Sequence, residues 1–438
     1  MPKLFYCAVQ SAKFDMRLIG LKTGVSPETP KNIRQTVRIS YGNSQAITLW
    51  VDVPEAYAES LSETGNPWLL AMLPMAASLG EDIEMSLPVD ALLLENVKGV
   101  LAIWREWYPE LHDVHIQCPV LSYQAPGQVP CAARTAAFFS GGIDSYFTIA
   151  RRMPGNDFGI PAVGKVDDLL TVWGFDVGVY DEAQFSPLSA MLAQSAVTMN
   201  LNHIIVRTNL REVIEVFKKR WGPLTFGVGL VFIGAILEKR FGEIVLGSSY
   251  PYGGLMPWGS HPMVDTLFST SSLSVVHDGA SFTRIGKTEI MARLPVAEKS
   301  LHVCQAAGTE NCSQCEKCYR TMIALDILGK KSAFAGAFDW SAYDFAKIKR
   351  LYIGGGSAQI FYKEMISVAQ EIGRTDMATA LLSASRRSSI LAPMVQCADW
   401  LSRQPIAWRV GIALRALLLS GSIRPSYIRH VAKASGSE

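Results

Sequence analysis

Apolar and polar positions along the first 125 residues follow strand-like and helix-like periods in turn. Alternating or β-branched stretches predict three strands, at 36–40, 46–53 and 115–121. Longer apolar stretches predict two helices, at 67–79 and 92–107, and the second has its apolar residues on one face. A segment rich in proline and glycine at 122–130 predicts a linker. We therefore expect an N-terminal α+β extension over residues 1–125.

The next 200 residues alternate between short apolar strands and longer helical stretches. Four strands are predicted, at 135–139, 169–175, 203–207 and 243–246. Helices are predicted between them, from near 143 and at 187–199, 209–221 and 224–241. This alternation is typical of a mostly parallel sheet covered by helices, so we expect an α/β domain over 131–329. Residues 330–438 are predicted to form a C-terminal helical region, ending in a frayed tail at 432–438.

Composition narrows the class of protein. Of the 438 residues, 49% are hydrophobic and 18% charged, which provides a large core and excludes disorder over most of the chain. Lys and Arg number 41 against 39 Asp and Glu, and this near-balance argues against a dedicated nucleic-acid binder. The most apolar runs, 224–237 and 410–421, are shorter than the roughly 20 residues that span a bilayer. We expect a cytoplasmic protein without a membrane segment.

One short sequence motif gives the clearest indication of a chemical function. Residues 138–145 read Phe-Phe-Ser-Gly-Gly-Ile-Asp-Ser, in which a predicted strand meets a glycine turn and then a helix. Glycines allow a tight bend close to an anion, and the helix N-terminus presents unpaired N–H groups to the same point. Ser140 and Ser145 add hydroxyl donors, and Asp144 is placed to orient a metal ion. The alternative is an ordinary glycine turn with a serine cap.

Four of the eight cysteines are clustered at Cys304, Cys312, Cys315 and Cys318. The spacing suits a tetrahedral Zn²⁺ site, and four thiolates leave no open coordination position, so the predicted metal is structural. An iron–sulfur cluster, disulfides and redox chemistry are the competing interpretations. Disulfides fit poorly with a cytosolic enzyme.

The string Ser-Gly-Gly-Ile-Asp-Ser at 140–145 resembles the SGGxDS loop of the PP-loop ATP pyrophosphatases at all six positions. The resemblance implies an adenine nucleotide α-hydrolase-like, Rossmann-like core that splits ATP into AMP and pyrophosphate with Mg²⁺. It implies that Ser140, Gly141, Gly142, Asp144 and Ser145 bind the pyrophosphate. Residues 284–290 resemble the K-x-E-I segment of the same superfamily, which implies that Lys287 meets the phosphates. Asp176 follows the second strand, where the superfamily places adenine.

The loop together with the cysteine cluster resembles 7-cyano-7-deazaguanine synthase (QueC) over residues 134–324. Members adenylate 7-carboxy-7-deazaguanine, add ammonia and dehydrate the amide to a nitrile. The resemblance makes the four cysteines zinc ligands, a deazapurine carboxylate the small-molecule substrate, and Asp265 its acidic contact. The long extensions are similar to the QatC-type branch of anti-phage operons. That branch implies operon partner proteins and a protein amine as an alternative acceptor to ammonia.

Two other functions remain open from the residues alone. A PP-loop sulfurtransferase acting on tRNA would need a reactive cysteine near the ATP site and a basic face, and neither is visible. A non-catalytic nucleotide-binding scaffold would tolerate loss of the 140–145 loop, which is intact. The loop at 250–265, rich in glycine, proline and aromatic residues, is predicted to form a lid that stacks a flat heterocycle. His261 and His277 are candidate acid–base groups.

Overall fold

A computed structural model describes most of the chain. The described ranges are 15–122, 134–153, 158–159, 163–217, 221–304, 310–354, 357–404 and 407–419. Beyond Ser122, the predicted linker at 122–130 lies outside the described residues, as does the predicted tail at 432–438.

The strands and helices of the first 122 residues match most of the predicted elements. The strands are β1 (Asp15–Val25), β2 (Asn32–Tyr41), β3 (Gln45–Pro54), β4 (Asp82–Glu84), β5 (Val89–Asp90), β6 (Ile116–Gln117) and β7 (Val120–Leu121). The helices are α1 (Asn66–Leu79) and α2 (Ala91–Trp107). The predicted strand at 115–121 is two short strands, β6 and β7, with Pro119 between them. The pattern does not predict β1, which a bulge at Gly20 interrupts and which buries only Met16 and Leu18.

The central part of the chain alternates strand and helix. Its strands are β8 (Arg134–Phe138), β9 (Asp168–Trp173), β10 (Asn202–Thr208), β11 (Phe241–Gly247) and β12 (Ser274–Asp278). Its helices are α3 (Ile143–Arg152), α4 (Glu182–Thr198), α5 (Leu210–Val216), α6 (Phe226–Ile236), α7 (Arg284–Met291), α8 (Pro295–Ser300) and α9 (Glu316–Ile327). The five-residue β12 is absent from the sequence prediction. Helix α4 begins five residues before its predicted start because the Asp181 carboxylate caps it.

These five strands are parallel and lie in the order β12-β11-β8-β9-β10. The first of these five strands along the chain, β8, is therefore central, and the strand order reverses between β8 and β11. In open α/β sheets, ligands bind outside the carboxyl ends of the strands at such a switch point. The predicted α/β class with a mostly parallel core sheet is confirmed.

The N-terminal strands continue the same sheet. Strand β3 pairs antiparallel with β10 through Asp52 and Val51, and β2, β1, β4 and β6 follow to give ten strands. Helix α1 packs on α6, and the ring of its buried Trp68 lies 5.7 Å from the Phe232 ring. The division of the chain at residues 125 and 330 stays a prediction.

The C-terminal helices are α10 (Phe345–Ile348), α11 (Ser357–Glu371), α12 (Thr375–Ser402) and α13 (Trp408–Leu418). Their apolar core packs on α9 through residues that include Tyr319 and Ile323. Within the described ranges, none of the helices has both the length and the apolar character needed to cross a lipid bilayer.

A half-buried histidine in β10 supports the strand that leads to the 140–145 loop. The Thr171 hydroxyl donates to the Phe139 carbonyl at 2.7 Å, so its oxygen is left to accept from His203 Nε2 at 2.8 Å. This contact requires a proton on His203 Nε2. Burial lowers the pKa of His203 to about 4.

We expect acid to weaken the fold through this residue. The unfolded chain binds a proton at His203 with a pKa near 6.5, whereas the folded chain resists protonation down to about 4. The fold has its full stability with respect to this residue above pH 6.5. As the pH decreases, the free energy of unfolding falls, by about 2 kcal/mol between pH 7 and pH 5. Urea unfolding at the two pH values measures it. The His203→Gln variant should show a correspondingly smaller difference, and an equal difference in both proteins would contradict the assignment.

Candidate functional site

A cleft of about 370 Å³ opens at the carboxyl ends of β8, β9 and β11. Its lining includes residues at or just after the ends of these strands, among them Ser140, Gly142, Asp176, Gly247 and Ser249. The cleft therefore lies at the switch point of the sheet. Of the residues predicted to bind the nucleotide, Ser140, Gly142, Asp144, Ser145 and Asp176 line this cleft, and their binding role stays a prediction.

The 140–145 loop, called the phosphate loop below, is held tightly in its bend. Gly141 has φ of 73°, and a Cβ there would lie 2.9 Å from Leu192 Cδ2, so glycine is required. The Gly141 carbonyl accepts from His302 N at 2.8 Å, which ties the bend to the segment after α8. Gly142 precedes α3, and no side chain caps this helix. The first N–H groups of α3 are therefore available to an anion in the cleft.

Asp144, in the first turn of α3, joins two cationic side chains of α7. Its Oδ2 accepts from Arg284 NH1 at 2.5 Å, and its Oδ1 lies 3.6 Å from Lys287 Nζ. Asp144 and Arg284 are about one-fifth exposed, whereas Lys287 is 1% exposed. The carboxylate therefore lies between a cation at the cleft and a cation beneath it.

Lys287 is buried beneath the cleft, a position that does not match its predicted contact with phosphate. Its ammonium donates to the Ser248 carbonyl at the end of β11, and the side chain does not line the cleft. Burial lowers the pKa of Lys287, with the Asp144 carboxylate acting in the opposite sense. Arg284, one turn earlier on α7, lines the cleft in its place. The geometry makes Lys287 a support for Asp144 and the strand end.

Two further cations reach the cleft from α9, and sequence reasoning did not identify them. Lys317 and Arg320 line the same wall as Arg284, and we call these three residues the cationic wall. Burial lowers the pKa of Lys317, and the Asp176 carboxylate opposes that shift. The sequence feature that could have identified them is their position soon after Cys315, at the start of a helix. A polyanion in the cleft would meet this wall on one side and the phosphate loop on the other.

The other end of the cleft is aromatic. Phe175, Trp221, Phe226 and Trp258 line it, and we call them the aromatic end. The Trp221 ring lies edge-on to Phe175 with centroids 4.6 Å apart. Trp258 comes from the predicted lid loop, so this part of the loop does reach the cleft. Flat apolar walls of this kind suit a heterocycle.

The structure does not bring Asp265 to the cleft. Its side chain is 0% exposed, accepts from Ser260 Oγ at 2.7 Å and His261 N at 3.2 Å, and lies 2.7 Å from His277 Nδ1. A Cβ on Gly227 would lie 2.8 Å from Asp265 Oδ1, so α6 packs directly on this network. Asp265, His261 and His277 thus hold the 260–265 segment against the sheet, and none of them lines the cleft.

The four clustered cysteines form a compact group of sulfurs, called the knuckle below. All four Sγ atoms lie within 4.8 Å of one another, and the pairs Cys304–Cys315 and Cys312–Cys318 are each 3.9 Å apart. Tetrahedral zinc with Zn–S bonds of about 2.3 Å requires sulfurs about 3.8 Å apart, so the residues fit this metal. None of the four forms a disulfide.

Asn311 shapes the knuckle. Its Oδ1 accepts from Val303 N at 2.9 Å and Cys304 N at 3.2 Å, and its Nδ2 donates to the Leu301 carbonyl at 2.7 Å and the Ala337 carbonyl at 2.9 Å. One amide thus joins the two chain segments that supply the sulfurs. Because Cys304 also lines the cleft, the knuckle and the cleft share a wall.

Comparison with known proteins finds one limited similarity. The chain is 33% identical over 121 residues to the protein named 7-cyano-7-deazaguanine synthase of Methanosarcina mazei, and the match covers 26% of this chain. It covers 52% of that relative, so the chain spans about half the length of the curated protein it matches. No family model and no solved structure matches the chain. The similarity is therefore to a protein named as a synthase, and it is confined to about a quarter of this chain.

Proposed function

We propose that this protein is an ATP-dependent ligase that adenylates a carboxylate in the cleft at the switch point of the sheet. The observation that carries the proposal is the phosphate loop facing the cationic wall across one cleft. A helix N-terminus with a glycine bend binds phosphate without a side-chain catalyst, and three cations balance the charge of a triphosphate. The similarity to a 7-cyano-7-deazaguanine synthase supports the same class of reaction.

The proposed reaction needs positioning more than acid–base chemistry. A carboxylate oxygen attacks the α-phosphorus, and the bond from that phosphorus to the oxygen bridging to the β-phosphorus breaks. The products are an acyl adenylate and pyrophosphate, and the negative charge that develops on pyrophosphate is met by the phosphate loop and the cationic wall. An amine then attacks the acyl carbon, AMP leaves, and the amine proton passes to solvent.

Asp144 is the residue that would hold Mg²⁺ beside the phosphates. Its Oδ1 is buried without a hydrogen-bond partner, 3.6 Å from Lys287 Nζ, and the side chain lines the cleft, so the carboxylate lies close to where an ion beside the phosphates would bind. The ion would neutralise phosphate charge when bound. Lys287 and Arg284 hold this carboxylate in place without it.

We propose a 7-deazapurine carboxylate, such as 7-carboxy-7-deazaguanine, as the substrate. The aromatic end provides apolar walls for flat rings, and Asp176 offers an acceptor for the adenine amino group or a ribose hydroxyl of ATP. The cleft thus has a polar end for phosphates and an apolar end for ring systems. We further propose ammonia as the acceptor, as the resemblance to QueC implies, or a protein amine and a role in anti-phage defence, as the resemblance to the QatC-type branch implies.

The test is to incubate the purified protein with ATP, Mg²⁺ and 7-carboxy-7-deazaguanine and to separate the nucleotides. We expect AMP and pyrophosphate in equal amounts, together with an adenylate or amide detected by mass spectrometry. Formation of ADP would contradict the proposal, because it requires cleavage between the β- and γ-phosphates. ATP binding without turnover of any deazapurine acid or added amine would favour the scaffold function.

A further inference from the structure

Helix α11, from the C-terminal helical region, contacts both arginines of the cationic wall through one ring. Phe361 is 5% exposed, with the Arg320 Cζ 4.7 Å and the Arg284 Cζ 5.4 Å from its ring centroid. A guanidinium within about 6 Å of an aromatic ring is attracted by the ring quadrupole. Phe361 therefore lies behind the two arginines that face the cleft.

The ring itself is held from the side of the sheet. Tyr250, in the loop after β11, stacks on Phe361 with centroids 5.5 Å apart and planes 5° from parallel. The neighbouring Ile360 packs so closely on this loop that a Cβ on Gly254 would lie 2.8 Å from its Cγ2. Phe361 thus connects the end of β11 to the two arginines.

Adjacent residues of α11 bind the helices that carry the arginines. Glu364 Oε2 accepts from Arg284 N at 2.8 Å, at the first residue of α7. The Tyr362 hydroxyl donates to Glu316 Oε1 at 3.2 Å, and the same oxygen accepts from Arg320 NH1 at 3.0 Å. Each arginine is therefore connected to α11 by the ring and by a second polar contact.

We propose that Phe361 is a positioning residue that holds Arg284 and Arg320 toward the polyphosphate of ATP. Two guanidinium groups on one wall repel each other, and without a support they would turn toward solvent. The ring and the carboxylates of Glu316 and Asp144 offset that repulsion before ATP arrives. The C-terminal region, which lies outside the stretch resembling QueC, then forms part of the nucleotide site. The inference rests on the proposed function for its ligand, whereas the arrangement of the arginines can be tested without it.

The first measurement is independent of activity. Phe361→Leu keeps an apolar side chain but removes the ring, and we expect phenylglyoxal to modify Arg284 and Arg320 faster, by about two- to fivefold each. Peptide mass spectrometry reads the two sites separately. The matched control is Phe338→Leu, an equally buried phenylalanine of the same region that packs on Trp340. Equal modification rates at both arginines in the wild type and Phe361→Leu would overturn the proposal.

The second measurement is Mg·ATP binding by isothermal titration with the full chain. Phe361→Leu should bind about tenfold more weakly than the wild type, and Phe361→Tyr, which retains the ring, should remain within about twofold. Phe338→Leu should bind as the wild type does, even if its melting temperature falls equally. A parallel loss of affinity in both leucine variants would overturn the positioning role in favour of general stability. Failure of the wild type to bind ATP would overturn the proposed function, while the modification rates would still decide the role of Phe361.

Discussion

Replacing Asp144 by asparagine is expected to lower the rate of AMP formation by about 10³-fold. The amide keeps the shape of the side chain but removes the negative charge between Arg284, 2.5 Å away, and Lys287, 3.6 Å away. Arg284 at the cleft and Lys287 beneath it would then lie close together without a full negative charge between them, and the oxygen available to Mg²⁺ would lose its charge. Quantifying AMP by chromatography at saturating ATP measures the effect.

The fold should survive this substitution. Lys287 keeps its hydrogen bond to the Ser248 carbonyl, so we expect the free energy of unfolding to fall by about 1–3 kcal/mol. The control is Asp181→Asn, which removes one negative charge from an exposed carboxylate at the N-terminus of α4. Asparagine caps a helix as well as aspartate does, so its rate should equal that of the wild type. An Asp144→Asn protein within about tenfold of the wild-type rate would place the chemistry elsewhere.

Cys315→Ser is expected to remove the metal and with it the nucleotide site. Cys315 supplies one sulfur of the knuckle and also immediately precedes α9, so serine keeps a good helix cap while replacing a thiolate by a hydroxyl. We expect the zinc content to fall from about one atom per chain to near zero, and the melting temperature to fall by about 3–5 °C, as a loss of roughly 3–5 kcal/mol implies.

The consequence for ATP follows from the position of α9. Lys317 and Arg320 lie in the first turns of this helix, directly after the knuckle, so loss of the metal should displace the cationic wall. Mg·ATP affinity should drop by at least about tenfold, as titration calorimetry would show. Cys397→Ser, which changes an exposed thiol far from the knuckle in sequence, is the control and should change neither property. Full metal content in Cys315→Ser, or iron in place of zinc, would contradict the assignment.

Several features could be predicted because contiguous residues specify them. The phosphate loop depends on two adjacent glycines between a strand and a helix, and the structure forms that strand-turn-helix at residues 134–152. The knuckle likewise depends on spacing within fifteen residues, and its sulfurs do converge. The alternation of strand and helix predicted the parallel core, because each strand must be covered on both faces. The roles of these residues in catalysis stay predictions.

Other features depend on how distant segments pack. Short strands such as β12 have too few residues for a period to be recognised, and the pairing of β3 with β10 joins positions about 150 residues apart. The sequence placed Asp265 beside the substrate, yet α6 and two histidines enclose it. Burial of this kind arises from the docking of a helix onto a loop.

The glycine bend before a helix N-terminus and the cluster of four cysteines follow from local chain geometry and can be predicted from the sequence. Which cations face the cleft depends instead on how the helices pack. Lys287 and Arg284 lie on one helix, one turn apart, and the depth at which α7 packs buries the first and presents the second. Phe361 reaches the site only because α11 folds back on α7 and α9, a contact that packing energy selects and no local pattern encodes.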